Sequence, residues 1–359
     1  MNQQIGKQSL AFTNPPFILE SGCVAGTKEG EGPIGHKIDM IGEEDHFDQE
    51  KWEQAESILQ KKALYIALQK ACVCEDEVRY LFAGDLLGQT IATSFGLLDF
   101  KIPLFGVYGA CSTAGESISL AAMAVAAGYA NIAAAVTSSH FASAEKQFRF
   151  PLEYANQRPL ASTWTVTGSG AFLISNKGIL EQQALNEKNK NQQPSDAYQV
   201  AITEITTGII VDYGIRDSMN MGAAMAPAAA DCIYNHLKDF NRLPSYYERI
   251  VTGDLGVVGQ EILIELLNQR GVDISAVHTD CGIEIFDNEK QGTGSGGSGC
   301  GCSAVTLSAH FLPMLRSGTL KRILFVPTGA LLSKISFNEG QNVPGIAHAV
   351  VLEAQKVVK

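Results

Sequence analysis

In the stretch GVYGACSTAGES, residues 106–117, one cysteine lies between a short apolar strand pattern and an alanine-rich helix pattern. That spacing puts Cys111 at a helix N-terminus, where unpaired N–H groups and the positive end of the helix dipole favour a thiolate. The same N–H groups can hold an oxyanion or a carboxylate. Two chemistries are open: covalent catalysis through Cys111, or anion holding around Cys111 and Ser112. His278, in VHTDCG, is the expected partner, because an imidazole activates a thiol or donates to an anion. A later run, GTGSGGSGCGCSA at 292–304, is dense in glycine, so its backbone can approach a ligand around Cys300, Gly301, Cys302 and Ser303. Arg158 offers a guanidinium fork that matches a carboxylate, with Lys146 and Arg149 close in sequence. Thr163, Trp164 and Thr165 follow it and can line the same cleft with hydroxyls and one flat ring. Cys281, Cys300 and Cys302 fit no standard metal spacing, and no metal is assigned.

The elements that must position these residues occur twice. RYLFAGDLLGQ, from Arg79, and RIVTGDLGVVGQ, from Arg249, each read as a strand running into Gly-Asp-Leu and a helix start. Cys111 and Cys281 follow at equal distances, so YGAC and HTDC fall at equivalent places and Cys111 and His278 are expected to meet across a pseudo-twofold axis. Downstream of each, a helix, a glycine stop and a strand recur: CSTAGESISLAAMAVAAGYANIAAAVTS in one copy and CSAVTLSAHFLPMLRSGTLKRILFVPTG in the other. Alternating strands and helices predict an α/β fold with a mostly buried sheet in each half. The first half is placed at 1–180, with an acidic surface excursion over about 29–50 ahead of the helix WEQAESILQKKALYIALQKA. A polar linker is placed at 181–200, and the second half at 201–359.

The bulk numbers agree with a globular chain. With 359 residues, 45% hydrophobic and 18% charged, it can bury a large core. The net charge of −11 and the lack of a basic block argue against nucleic acid. No signal peptide is read at the N-terminus. The apolar stretch Ser117 to Val136 reads as a buried helix and strand rather than a membrane span. Eight cysteines in such a chain are expected to stay reduced, most of them as small buried hydrophobes.

A duplicated α/β unit with a cysteine at the first strand–helix junction and a histidine at the second resembles the thiolase-like superfamily. GACSTAGES resembles its nucleophile segment, HTDCG occupies the place of its histidine segment, and GSGGSGCGCSA resembles its late glycine-rich loop. TGSGAFLIS and MNMGAAMAPAA resemble further stretches of that superfamily. This implies two halves of βαβ type in a layered α-β-α-β-α arrangement, commonly paired into a homodimer through the first half. Longer segments resemble the stage V sporulation protein AD family of spore-forming bacilli: SLAFTNPPFILESGCVAGTKEGEGP, FAGDLLGQTIATSFGL, FRFPLEYANQRP and VTGDLGVVGQEIL.

That resemblance implies binding of dipicolinic acid (pyridine-2,6-dicarboxylate), alone or as its calcium complex, in the thiolase-type cleft. It implies work with membrane proteins of the same sporulation operon, moving dipicolinate into the developing spore and out at germination. It places a protein without a signal peptide on the spore inner membrane. Departures from the superfamily pattern argue against carbon–carbon condensation. Thr279 and Asp280 follow the histidine, and the glycine loop carries no asparagine. The expected ligand set is therefore Cys111, Ser112, His278, Asp280, Cys300, Gly301, Cys302, Ser303, Arg158, Thr163 and Thr165, with no protein-held cofactor. No EF-hand spacing of acids is present, so calcium is expected to arrive with the ligand. Two other readings stay open: an acyl-CoA-dependent acyltransferase or thiolase using Cys111, and a structural adaptor of a membrane complex.

Overall fold

The structure is a computed structural model that describes residues 3–148, 153, 155, 157–178, 181–182 and 198–357. Ten strands carry the fold: β1 (Phe17–Ala25), β2 (Tyr80–Gly84), β3 (Leu104–Gly106), β4 (Ile132–Ser139), β5 (Gly168–Ser175), β6 (Tyr198–Thr206), β7 (Arg249–Thr252), β8 (His278–Asp280), β9 (Arg322–Val326) and β10 (Ala349–Lys356). The helices that matter here are α1 (Trp52–Ala71), α2 (Thr113–Ala126), α3 (Phe141–Phe148), α4 (Met221–Asp239), α5 (Gly256–Asn268) and α6 (Cys300–Thr306).

The duplication read from sequence is present in the strand order. One half runs β3-β2-β4-β5-β1 and the other β8-β7-β9-β10-β6. In each, the first three strands are parallel and the last two antiparallel. The halves join edge to edge through a short antiparallel pairing of Phe17 and Ile18 with Ala201 and Val200.

Alternation along the central strands builds the layers. On β4, Ala133 and Ala135 belong to the middle core while Ile132, Ala134 and Val136 pack outward with α1. On β9, Ile323 and Phe325 face the middle core while Leu324 and Val326 pack outward with α4 and α5. The middle layer is α2 and α6, whose Ala114, Ala121, Ala122 and Ala304 are small enough to fit between two sheets. The result is the α-β-α-β-α order.

The expected helix over 52–71 forms as α1. Its buried Leu59, Ala63, Leu64, Ala67 and Leu68 recur at helical spacing, and Cys72 closes it in the left-handed region. The stretch Ser117 to Val136 is buried helix and strand, and among the described residues no helix is long and apolar enough to cross a membrane.

Two expectations need correction. The linker placed at 181–200 ends early, because β6 begins at Tyr198; residues 183–197, and Arg149, lie outside the described residues. The acidic excursion is not a surface feature throughout: Glu29, Ile34, Ile38 and Phe47 are buried, and Met40–Ile41 pairs with the end of β1. The glycine-serine run is packed into the fold, in line with the helix that follows it. Thr293, Ser295 and Ser298 are buried, and Gly297–Ser298 pairs in parallel with Trp164–Thr165.

Candidate functional site

Cys111 sits on the turn between β3 and α2. Ala110, just before it, has φ of 51°, a left-handed conformation that a residue with a β-carbon adopts only when its surroundings hold it there. The turn is fixed from within: Gly109 O accepts from Ser112 N at 3.0 Å and Ser112 Oγ at 2.7 Å, and Ala110 O accepts from Thr113 Oγ1 at 2.6 Å. The backbone N–H of Ser112 is therefore spent inside the turn. Ser112 itself is fully buried and does not reach the cleft.

The surroundings of the thiol disfavour a thiolate. Burial pushes its pKa well above the ordinary value, and the carboxylate of Asp254 and the thiol of Cys300 push in the same direction. The helix end that sequence reading credited with lowering the pKa is outweighed by desolvation and by a neighbouring acid. Asp254 is fully enclosed; its Oδ1 accepts from Thr328 Oγ1 at 2.6 Å and its Oδ2 from Gly299 N at 3.0 Å. Cys111 is a third hydrogen-bond partner, and burial raises the Asp254 pKa to about 7 despite all three.

Gly299 has φ of 100°, which suits glycine and aims its N–H at that carboxylate. A β-carbon on Gly301 would lie 2.4 Å from Gly168 O, so the run is glycine there because backbone touches backbone. Several of the donors expected from this loop are already engaged. Gly301 N binds Ser139 Oγ at 3.1 Å, Cys302 N binds Gly299 O, and Cys300 Sγ donates to Ser138 O at 2.8 Å. Ser303 Oγ turns back onto Cys300 O. Of this run only Ser298 lines the cleft, so Cys300, Gly301, Cys302 and Ser303 support its floor from behind.

The expected Cys111–His278 dyad does not form. Thr252 Oγ1 gives its proton to Asp280 Oδ2 at 2.6 Å and so accepts from His278 Nε2 at 3.0 Å; Nδ1 then accepts from Gln260 Nε2, also at 3.0 Å. Both ring nitrogens are committed, one to β7 and one to the outer helix α5, and burial lowers the His278 pKa to about 4. Strand alternation explains the miss: residues 278 and 280 share one face of β8, and that face meets α5. Asp280 likewise accepts from Leu255 N, Gly256 N and Gly282 N, organising the start of α5 rather than facing a ligand.

The cleft over Cys111 encloses about 500 Å³. Arg158, Thr163 and Thr165 line it together with Cys111, as expected. Arg158 donates to Glu145 Oε1 at 2.6 Å, and both side chains are largely buried. Sequence reading missed Tyr108, Gln157, Lys334 and Ser298, which add polar groups, and Leu86, Phe148, Leu332 and Phe337, which add apolar walls. It also missed Asp254, although a signal was in view, because this is the aspartate of the second Gly-Asp-Leu. Its counterpart Asp85 is spent locally, accepting from Leu87 N, Thr93 N and Thr93 Oγ1. The same motif therefore organises a turn in one half and holds a thiol in the other.

A family model for stage V sporulation protein AD matches residues 6–353. Stage V sporulation protein AD of Bacillus subtilis (strain 168) is 43% identical over 352 residues, covering 97% of each chain. Among solved structures, human mitochondrial 3-ketoacyl-CoA thiolase in complex with CoA aligns with TM-score 0.56 at 12% identity, over 96% of this chain and 99% of that one. The 3-oxoacyl-[acyl-carrier-protein] synthase III of Aquifex aeolicus gives 0.51 at 11%, over 94% and 99%. Cerulenin-bound OleA of Xanthomonas campestris gives 0.57 at 14%, over 96% and 97%. At such identities these three establish the thiolase-like fold alone. The match to one family along nearly its whole length, together with that fold, places the chain in the stage V sporulation protein AD family.

Proposed function

We propose that this protein binds dipicolinate, alone or as its calcium complex, in the cleft over Cys111, and does not catalyse acyl transfer. The observation that carries this reading is the enclosed Cys111–Asp254 pair, in which burial and the neighbouring carboxylate push the thiol pKa up and so disfavour the thiolate that a cysteine nucleophile needs. Around that thiol the cleft offers what a small rigid dianion needs: the cations Arg158 and Lys334, the hydroxyls of Thr163 and Thr165, and apolar walls for the ring. Calcium enters as part of the ligand. In this reading the protein serves dipicolinate movement into the developing spore and its release at germination, alongside membrane proteins of the same operon. It is held peripherally on the spore inner membrane.

The pairing into a homodimer belongs to the same proposal. Strand β3 is a sheet edge with every residue exposed, and Phe105 there is 53% exposed, with Phe95 and Leu98 just upstream at 66% each. An apolar edge with unpaired backbone groups suits pairing with the same edge of a second copy. Light scattering of the wild type and of Phe105→Lys tests it: a dimer that becomes a monomer supports the pairing, and a wild-type monomer removes it.

The deciding experiment for the ligand is calorimetric titration with dipicolinate, with and without calcium, against phthalate. Saturable binding that excludes phthalate supports the proposal; absence of binding under both conditions overturns it. One observation favours a second reading. Asp254, with its pKa near neutrality, could take the Cys111 proton, which an acyltransferase requires. Intact mass after mixing with acyl-CoA decides: an adduct lost in Cys111→Ser establishes the enzyme, and no adduct excludes it.

A further inference from the structure

A second pocket, of about 330 Å³, lies behind the cleft and has the opposite chemistry. Its walls are Trp52, Phe141, Trp164 and His140. Trp52 stacks on His46 at 3.4 Å and stands 5.4 Å from His140, while Phe141 stacks on Trp164 at 4.0 Å. Among the described residues its charged lining is acidic: Asp45, with Glu153 at the exposed rim. His140 adds no charge. Its Nδ1 accepts from Ala142 N at 3.1 Å, so Nε2 carries the proton it gives to Asp45 O at 2.8 Å, and the ring is the neutral tautomer.

A second carboxyl stands beside Asp45. Glu29 is 1% exposed; its Oε1 accepts from Thr167 N, a pocket residue, and its buried Oε2 has no partner among the described residues. Around Gly26, the position a β-carbon would take lies 2.7 Å from Asp45 Oδ1, 2.9 Å from Glu29 Oε2 and 3.0 Å from Thr167 Cγ2. Asp45 Oδ1, which accepts from Thr27 N and Thr27 Oγ1 at 3.0 Å each, and Glu29 Oε2 thus lie close together beside the pocket wall Thr167. The backbone at Gly26 packs against them with no room for a side chain.

We propose that this pocket binds a small organic cation with an ammonium or methylammonium head, held by the aromatic faces and by the Asp45 carboxylate. Ring faces attract cations through their quadrupoles, and a carboxylate beside them adds charge and, where the ligand has an N–H, a hydrogen-bond acceptor. The protein already uses these rings in this way: Lys28 Nζ lies 4.4 Å from the centre of Trp164, and the Arg158 guanidinium lies 5.5 Å from it, although neither lines this pocket. A bare metal ion suits the site poorly. Among the described residues no three His, Cys, Asp or Glu side chains are grouped to hold one, and the walls are rings. The inference stands independently of what fills the cleft.

The chain has two tryptophans and both line this pocket, so its intrinsic fluorescence reports on the site. Tetramethylammonium and n-butylammonium should each change that emission saturably in the intact protein. The neutral analogues 2,2-dimethylpropanol and 1-butanol should not. Asp45→Asn, which keeps both tryptophans, should weaken the response at least about tenfold. Glu29→Gln serves as a second variant if Asp45→Asn does not fold by circular dichroism, and should weaken n-butylammonium more than tetramethylammonium, which has no N–H to give. An equal response to the neutral compounds, affinity unchanged in the folded variants, or a response to calcium or magnesium chloride alone would overturn the proposal.

Discussion

The cleft and the aromatic pocket are separated by the same two elements and differ in charge. Along α3 and the residue before it, His140, Phe141 and Ala142 face the pocket, whereas Ala144, Glu145 and Phe148 face the cleft. Along the next extended segment the pattern repeats, with Thr163 and Thr165 toward the cleft and Trp164 toward the pocket. A two-residue period on a thin partition places hydroxyls on one side and a ring on the other. Among the described residues the cleft carries the cations Arg158 and Lys334 beside the Glu145 carboxylate paired to Arg158, and the pocket carries the acids Asp45 and Glu153. The lesson is that which ligand charge each side accepts is set by residues arriving from elsewhere in the chain, while the partition sets shape.

The sharpest way to break this comparison is to remove the charge on one side. Arg158→Ala should lower dipicolinate affinity by more than about a hundredfold while changing tetramethylammonium affinity less than about twofold, as read by calorimetry and tryptophan emission. Because the single change breaks the largely buried Arg158–Glu145 ion pair, the double variant Arg158→Gln with Glu145→Gln separates loss of binding from loss of fold. The converse, Asp45→Asn, should cost the ammonium ligand about tenfold and leave dipicolinate within about twofold. Equal losses at both sites in either variant would mean that the partition is not rigid.

A smaller effect concerns the acids buried behind the partition. Burial raises Glu29 and Glu56 to about 8 and Asp254 to about 7, so the folded protein holds protons that the unfolded chain has released. Stability should therefore fall as pH rises through that range. The buried histidines act oppositely, since His278 and His348 are lowered to about 4, but their contribution ends once unfolded histidine is neutral. Melting temperature should thus decline between about pH 6.5 and 8, and Glu56→Gln should flatten that decline. The smallest effect is expected at His278. His278→Ala should leave dipicolinate affinity unchanged, because the ring lies between Thr252 and Gln260; a clear loss would put it back in the cleft.

Much of the fold was legible because the pattern is local. The run of small residues after Cys111, the 52–71 helix and the paired Gly-Asp-Leu segments each declare themselves within a short window, and the duplication follows from them. Cys111, Arg158, Thr163 and Thr165 were legible for the same reason. His278 was not, because sequence gives the alternation of a strand but not which face meets the cleft. Asp254 was hidden by its twin: two identical motifs suggest two identical roles, and only Gly299 and Thr328, distant in sequence, set them apart. The aromatic pocket draws on Asp45, Trp52, Phe141 and Trp164 from three separate stretches, and no spacing rule links them.

The exposed edge strand has one more consequence. The two halves share a strand order, yet their outer edges differ: β3 is exposed at every residue, while its counterpart β8 is half covered and ends in the buried Asp280. A chain with two equally adhesive ends would add copies indefinitely, as filaments do. In the proposed dimer, self-pairing through β3 would use up the adhesive end on both partners at once, so growth through that edge would terminate at a pair.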